Sequence, residues 1–241
     1  VQRTARGFEI QGGGAREHED DDGLVGKGDG LSADAVIVAV PHTRAARMLE
    51  GVLGEDARGF ARIGVSPIVN LHVLYDREVC SEPFAAGVGT PVQYLFDRTR
   101  AAGAPDASQY LAVSLSGAER EMTMSVDALR ERYLPALGEL LPRARRARVE
   151  SFLVTREHAA TFRASPGVNA LRPPSQSALR GLVLAGTWTA TGWPATLEGA
   201  VLSGHAGAAA ALRTLGIHRS DSLTPSRPVL AATAAGTGVP T

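Results

Sequence analysis

The sequence predicts an α/β fold into which an α+β domain with an antiparallel sheet is inserted. Two short segments, 33–40 and 181–185, are apolar at nearly every position, as buried strands are, and a helical pattern follows each of them. The chain between them contains several alternating segments without long helices, which is typical of an antiparallel sheet. With 241 residues, 44% of them hydrophobic and 21% charged, the chain has an ordinary globular composition.

Residues 1–65 are predicted to belong to the α/β domain. A β-hairpin over residues 1–32 includes the strand-like Phe8-Glu9-Ile10, and its glycine triplet 12–14 and acidic run 17–22 indicate a loop. The acidic run could hold a metal ion, but without fixed ligand spacing a solvated loop is the better interpretation.

The clearest strand of this first part runs from Ala33 to Val40, and we expect it to be buried on both faces. Pro41 ends it by removing a backbone donor. A helix is predicted from His42 to about Leu53.

Residues 66–172 are predicted to form the inserted domain. Alternation from Ser66 to Tyr75 places Ile68, Asn70, His72 and Leu74 on one face and Val69, Leu71, Val73 and Tyr75 on the other. The further predicted elements are strands at Val92–Phe96, Tyr110–Leu115 and Arg148–Thr155, a polar loop over 98–108, and a helix at Asp127–Leu141.

The last part of the chain is predicted to rejoin the α/β domain over residues 173–215. An extended loop over 156–180 connects the two domains and reaches into this segment. Here a short apolar strand is followed by a loop with two tryptophans and by a helix from Thr196. The positive end of a helix and its free N–H groups make such a segment a good anion or cofactor cradle. Residues 216–241 lack periodicity and are predicted to be a disordered tail.

Three segments resemble the amine oxidase/phytoene desaturase superfamily of FAD enzymes, and more narrowly its hydroxysqualene dehydroxylases of hopanoid synthesis. They are 188–204 (WTATGWPATLEGAVLSG), 66–76 (SPIVNLHVLYD) and 89–99 (GTPVQYLFDRT). The resemblance implies a two-domain, Rossmann-like FAD-binding protein whose antiparallel domain holds the substrate. The strand–GxGxxG–helix unit that binds the ADP half of FAD is absent from this sequence, so we expect the C-terminal part of a longer protein.

The resemblance also implies the residues that contact FAD. They are Val40, Pro41, Gly186, Thr187, Trp193, Pro194, Thr196, Leu197 and Gly199. The superfamily places a carboxylate just after the glycine that ends the last strand, whereas this chain has Thr187 and Trp188 there. A threonine hydroxyl lacks the charge-assisted hydrogen bonding of a carboxylate.

Few acid–base residues are expected, because a flavin carries the redox chemistry. Asp97, Arg98 and Glu198 are the catalytic candidates for protonating a leaving oxygen. The alternatives are a strand-end ion pair for Asp97 and Arg98, and stabilisation by the helix dipole for Glu198. Gln93, Tyr94, Phe96 and Trp188 are the substrate candidates, and core packing is the alternative for each.

The composition and residue spacings of the chain disfavour several classes of binding partner. A net charge of zero argues against a nucleic-acid binder. The single cysteine, Cys80, excludes an intrachain disulfide and fits a reducing cytoplasm. The histidines lack metal-binding spacings, so no metal is predicted. No apolar segment is long enough to span a bilayer, so any membrane contact is expected to be peripheral, for example through the basic cluster 143–148, whose alternative is a solvated connection.

The sequence thus predicts an FAD-dependent oxidoreductase that removes the hydroxyl of hydroxysqualene to give squalene. Another isoprenoid desaturase or an amine-oxidase-like enzyme is the alternative within the same class. An inactive fragment or binding module is the hypothesis from another class, because the ADP-binding unit and the superfamily's carboxylate are both missing.

Overall fold

The computed structural model describes residues 1–5, 7–11, 30–105 and 107–217. The chain forms two compact units. Unit 1 comprises Val1–Ala57 and Pro173–Thr241, and unit 2 comprises Arg58–Arg172. The first division lies eight residues before the predicted boundary at residue 65. The glycine triplet at 12–14, the acidic run at 17–22 and the tail beyond residue 217 lie outside the described residues.

Unit 1 contains two small sheets. Strands β1 (Gln2–Thr4), β2 (Gly7–Ile10) and β3 (Leu31–Ala33) form an antiparallel sheet in that order. Strand β4 (Val36–Val38) pairs in parallel with β10 (Leu182–Leu184), and Val36 lies opposite Leu182. This parallel pair confirms the α/β character that the two apolar segments predicted.

The single strand predicted over 33–40 is wrong, because the chain changes sheets within it. Ala33 pairs with Phe8 of β2, whereas Val36 begins the pairing with β10. Gly7 permits the first pairing, since a Cβ there would overlap the carbonyl oxygen of Ala33. Burial on both faces is also wrong, because Ile37 is 46% exposed.

Three helices begin within the described residues of unit 1. Helix α1 spans His42–Leu53, as predicted; α2 (Glu55–Ala61) was not predicted and contains the division between the units. The longest helix, α5, spans Leu197–Thr214 and packs on β10 and β4. The packing is close because a Cβ at Gly207 would lie 3.4 Å from the Cβ of Ala185. Small residues therefore let this helix approach the strand backbone.

Unit 2 is built on one five-stranded antiparallel sheet, which confirms the predicted insertion. Its strands are β5 (Val65–Tyr75), β6 (Phe84–Ala86), β7 (Tyr94–Asp97), β8 (Gln109–Ser116) and β9 (Val149–Phe162). Their order is β6-β7-β8-β5-β9. The short helix α3 (Thr99–Ala102) interrupts the predicted loop, and α4 (Val126–Leu140) matches the predicted amphipathic helix.

The buried face of this sheet forms the larger core of the chain. Strand β5 alternates as predicted, with Val69, Leu71, Val73 and Tyr75 buried. Leu129, Tyr133 and Leu137 of α4 belong to the same core. The Ser125 hydroxyl caps this helix by accepting a hydrogen bond from the Ala128 amide at 3.1 Å. The opposite face of the sheet, which carries His72 and Leu74, is half-buried or exposed.

Two segments of unit 2 differ from the prediction. Strand β9 runs on to Phe162, where a loop was expected from residue 156, because β5 pairs with it along nearly its whole length, from Val65 to Tyr75. Strand β6 was missed because it is only three residues long and has no alternation that separates it from a loop. Hydrogen bonding to β7 holds these three residues in a strand, although their own sequence shows no strand pattern.

Candidate functional site

The segment that joins β10 to α5 is held in place by hydrogen bonds within unit 1. The Gly186 amide donates to the Ser203 hydroxyl of α5 at 2.8 Å, and that hydroxyl donates to the Ala200 carbonyl at 2.7 Å. The Thr189 hydroxyl donates to the Gly186 carbonyl at 2.9 Å. Gly186 has a φ of 136°, a conformation suited to glycine. The predicted cofactor residues Gly186 and Thr187 therefore lie in an ordered loop.

Trp188 connects this loop to the end of β4. Its indole Nε1 donates to the Val40 carbonyl at 3.0 Å, and its side chain is only 3% exposed. A Cβ at Gly186 would lie 2.6 Å from the same Nε1, so the glycine makes room for the indole. Trp188 thus occupies a core position, and a contact with substrate stays a prediction. Pro41, next to Val40, is the N-cap residue of α1, and its carbonyl accepts hydrogen bonds from the Arg44 and Ala45 amides.

The N-terminus of α5 presents free donors. The Thr196 hydroxyl caps the helix by accepting from the Gly199 amide at 3.1 Å, and the Thr196 carbonyl accepts from the Ala200 amide at 3.0 Å. The amides of Leu197 and Glu198 have no partner among the described residues. Leu197 is 89% exposed at this helix end, and Glu198 is exposed beside it.

Gly199 and the Trp193-Pro194 pair shape the approach to this helix. A Cβ at Gly199 would lie 2.5 Å from the Pro194 carbonyl oxygen, so the chain's own packing requires the glycine. The half-buried Trp193 donates its amide to the Thr191 hydroxyl at 3.2 Å. These contacts explain the residue types without a ligand, and cofactor contact by these three residues stays a prediction.

The strand-end ion pair between Asp97 and Arg98 is not found. The Asp97 carboxylate instead accepts hydrogen bonds from the Thr99 amide at 2.8 Å, from the Thr99 hydroxyl, and from Gln109 Nε2 at 2.9 Å. Partial burial acts to raise the pKa of Asp97, but these hydrogen bonds outweigh it and hold the pKa below its ordinary value. These hydrogen bonds favour the ionised form of Asp97, and its role as a proton donor stays a prediction. Arg98 is exposed.

Gln109, which the sequence did not single out, is the centre of this network. Its Oε1 accepts from the Val79 and Cys80 amides at 2.7 and 2.9 Å, and its Nε2 also donates to the Cys80 carbonyl at 2.6 Å. The side chain is buried, and all its hydrogen-bonding capacity is used within unit 2.

The substrate candidates on β7 and just before it are Gln93, Tyr94 and Phe96, and the structure gives them two different roles. The Gln93 side chain exchanges two hydrogen bonds with the Ser116 backbone, at 2.9 and 3.0 Å, so it extends the pairing with β8. Tyr94 and Phe96 are partly exposed and share a face with Phe84, whose ring lies 5.9 and 5.1 Å from theirs. The two aromatic residues therefore remain available to a ligand, and Gln93 has a structural role.

A second site lies on the half-buried face of the unit 2 sheet. Here His72 Nδ1 lies 2.6 Å from the Tyr110 hydroxyl, and Nε2 lies 3.0 Å from the Thr155 hydroxyl. Burial lowers the pKa of His72. The three residues line an open pocket of about 530 Å³ together with Leu74 and Leu153.

Sequence reasoning placed His72 on the mixed face of its strand but missed its partners. Tyr110 lies on β8 opposite Leu74, and Thr155 lies on β9 opposite Asn70. Only strand order and register bring the three together. A histidine among apolar residues on a predicted strand was the one signal that could have found the site.

The described residues form no metal site and no membrane-spanning helix, and most arginines of the basic cluster 143–148 are engaged. Among the described residues no three metal-binding side chains cluster. Arg143 pairs with Glu78 and Arg148 with Glu150, while Arg145 donates to the Gly138 carbonyl. In the described part of the chain, no helix is both long and apolar enough to cross a membrane.

Comparison with known proteins identifies the family of this chain. A sequence model of the family described as flavin-containing amine oxidoreductase matches residues 15–212. The chain is 34% identical over 190 residues to a hydroxysqualene dehydroxylase of Sinorhizobium fredii and 36% identical over 175 residues to one of Rhodopseudomonas palustris. The two matches cover 74% and 71% of this chain, which spans only 39% and 37% of the length of these relatives.

Solved structures show the same fold. The structure of reduced UDP-galactopyranose mutase superposes with a TM-score of 0.57 at 15% identity, over 79% of this chain and 43% of that one. At this identity the likeness concerns the fold alone. The chain therefore shares part of the architecture of that structure.

Proposed function

Because the chain belongs to the family of flavin-containing amine oxidoreductases, we propose that it forms part of an FAD-dependent enzyme that reductively dehydroxylates hydroxysqualene to squalene. The observation that carries the proposal is the 34–36% identity to two hydroxysqualene dehydroxylases over more than 70% of this chain. We extend the proposal to hopanoid biosynthesis, which is the role that the family resemblance implies.

The residues of unit 1 fit the flavin that the family implies. The free amides of Leu197 and Glu198, at the positive end of the 18-residue helix α5, suit a group with hydrogen-bond acceptors and partial negative charge. Gly186 allows close backbone approach at the start of the loop. The residues that would hold FAD are therefore Gly186, Thr187, Leu197 and Glu198, with the Thr196 cap fixing the helix end.

When bound, FAD supplies the reducing equivalents for replacing a carbon–oxygen bond by a carbon–hydrogen bond. The protein must then orient the alcohol, exclude bulk water and provide a proton for the oxygen that leaves as water. The three hydrogen bonds that Asp97 accepts favour its ionised form and make it the weaker candidate for the last role. Glu198, exposed at the first turn of α5, is the remaining carboxylate candidate of unit 1.

An amine oxidase is the second candidate, and the family description itself favours it. The two activities predict different substrate surfaces. An amine must be recognised with its charge, whereas a triterpene alcohol needs an apolar surface with one hydroxyl partner. The partly exposed Phe84, Tyr94 and Phe96 of unit 2 suit an apolar substrate, but aromatic rings also bind ammonium groups, so an activity assay must separate the two candidates.

The location and membrane contact expected from the sequence are also part of the proposal. A cytoplasmic protein that touches the membrane peripherally would gain access to an isoprenoid lipid. Two arginines of the basic cluster 143–148 are paired with glutamates, which leaves exposed Arg146 as the best candidate for an anionic headgroup.

The direct test uses the complete polypeptide that contains this chain, purified with FAD. Anaerobic incubation with hydroxysqualene and a chemical reductant is expected to yield squalene, detected by mass spectrometry. Parallel incubation with primary amines in air should give no hydrogen peroxide. Peroxide formation without squalene would favour the amine oxidase. A protein that retains no FAD would instead support the non-catalytic binding module.

A further inference from the structure

The pocket on the half-buried face of the unit 2 sheet has the dimensions of a ligand site. Its volume of about 530 Å³ lies within the ~300–1,000 Å³ of small-molecule sites. Its apolar wall is formed by Leu74 of β5, Leu153 of β9 and the segment 102–105, which begins at the last residue of α3. Leu153 is 63% exposed, so its side chain is accessible to a ligand in the pocket.

Three polar side chains of the pocket are linked by hydrogen bonds from Tyr110 through His72 to Thr155, and Ser151 also lines the pocket. We assign the Tyr110 hydroxyl as the donor to Nδ1, which lies 2.6 Å away. With this assignment Nε2 carries the ring proton and donates to the Thr155 hydroxyl oxygen at 3.0 Å. Burial lowers the pKa of His72, which agrees with a neutral imidazole that accepts at one nitrogen and donates at the other.

This arrangement leaves one donor unused. The three linked side chains have two hydroxyl hydrogens and one ring N–H to donate. The two hydrogen bonds between them use the Tyr110 hydroxyl hydrogen and the Nε2–H of His72. The hydroxyl hydrogen of Thr155 is the one left over, and Thr155 has no other partner among the described residues. Thr155 lines the pocket, so a ligand oxygen can accept this hydrogen.

The charge of the pocket defines the class of ligand. None of the described residues that line it is an aspartate, glutamate, lysine or arginine. A charged amine or carboxylate would lack a counter-ion there and would lose its hydration. A neutral hydroxyl on an apolar skeleton needs only a neutral hydrogen-bond donor, which the hydroxyl groups of Thr155 and Ser151 can offer.

We propose that this pocket binds the hydroxyl end of an apolar isoprenoid alcohol, with Thr155 donating to the ligand oxygen and the Tyr110–His72 pair orienting Thr155. The assignment rests on the proposed function in naming an isoprenoid, and it adds the residues that distinguish the alcohol from its hydrocarbon product. Thr155 is a binding residue here, and His72 and Tyr110 are positioning residues.

The test compares binding of farnesol, an isoprenoid alcohol, with binding of farnesene, a related hydrocarbon, to the complete polypeptide with its cofactor. Thr155→Val keeps the shape of the side chain and removes the hydroxyl. It is expected to weaken farnesol binding about tenfold, with less than a roughly twofold change for farnesene. Thr155→Ser, which restores the hydroxyl, is expected to bind both ligands as wild type does.

Two further variants separate the orientation of Thr155 from general damage. Tyr110→Phe frees Nδ1 and is expected to weaken farnesol binding less than Thr155→Val, with no additional loss in the double variant. Ser114→Ala lies on the same face of β8 outside the pocket and should change neither ligand. Nitrogen-15 spectra of the histidine rings should show His72 protonated at Nε2 in all variants that retain Tyr110.

Several results would overturn the inference. They are a Thr155→Val protein that still binds farnesol as wild type does, equal losses for both ligands, a wild-type protein that binds neither, and a proton on Nδ1 of His72. Hydroxysqualene conversion by the same preparations separates the two proposals. Conversion with unaltered farnesol binding in Thr155→Val defeats the pocket assignment alone. Selective loss of farnesol without any conversion in wild type defeats only the proposed reaction.

Discussion

Trp188 donates its indole N–H to the carbonyl oxygen of Val40 at 3.0 Å. The bond joins the loop after β10 to the end of β4, so residues almost 150 positions apart fix the same edge of the parallel strand pair. This edge is where the proposed FAD contacts of unit 1 lie. The tryptophan therefore shapes the cofactor region from within the core.

We expect Trp188→Phe to lower the free energy of unfolding by about 1–3 kcal/mol, because the Val40 carbonyl loses its partner and the smaller ring leaves a gap. Urea unfolding followed by circular dichroism measures the change. Trp193→Phe is the matched control, since the Trp193 side chain is half-buried in the same loop, and its effect should be well below that of Trp188→Phe. Equal losses in both variants would contradict a special role for the Trp188 bond.

The Thr196 cap allows the stability of α5 to be separated from cofactor contact. Thr196→Ala should destabilise the protein by about 1 kcal/mol, as loss of a hydrogen-bonding N-cap does, and Thr196→Ser should restore it. Ser125→Ala removes the equivalent cap of α4 in unit 2 and serves as control. FAD titration of the complete polypeptide should show weaker binding for Thr196→Ala only. Equal FAD affinities in the two Ala variants would remove the α5 terminus from the cofactor site.

Gln109→Leu should be among the most destabilising single changes in unit 2. The leucine leaves the amides of Val79 and Cys80 without their acceptor in a buried region, and we expect a loss of about 3 kcal/mol or more in urea unfolding. Gln93→Leu is the matched control, because its two bonds to the Ser116 backbone are exposed and water can replace them. A loss for Gln109→Leu no larger than that for Gln93→Leu would refute the network.

We expect Asp97 to make the free energy of unfolding depend on pH in the acidic range. Its pKa is lower in the folded protein than its ordinary value of 3.8, so the carboxylate stabilises the fold above that value and this contribution fades as the pH falls through the folded pKa. The difference in unfolding free energy between wild type and Asp97→Ala should be constant near neutral pH and should shrink below about pH 4. Asp76, whose pKa Arg77 and Arg148 also lower, is present in both proteins and cancels. A difference that grows on acidification would mean that Asp97 is protonated in the folded state.

Much of the fold could be read from local patterns. The alternation in residues 66–75 defined the two faces of β5, and the apolar stripe of 127–141 located α4 to within one residue at each end. These elements repeat an apolar period over many residues, so burial of one face follows from the sequence. The three-residue strand β6 and the division of 33–40 between two sheets carry no such period, and pairing partners decide them.

By itself, the sequence determined the antiparallel insertion and the loop-and-helix segment at 186–199, together with the family that its motif resembles. Only the tertiary structure decided what individual side chains do. It engaged Asp97 in a hydrogen-bond network, buried Trp188 against Val40, and brought His72, Tyr110 and Thr155 into one pocket. The physical reason is that hydrogen bonds between distant residues depend on strand order and register, which no local period in the chain encodes.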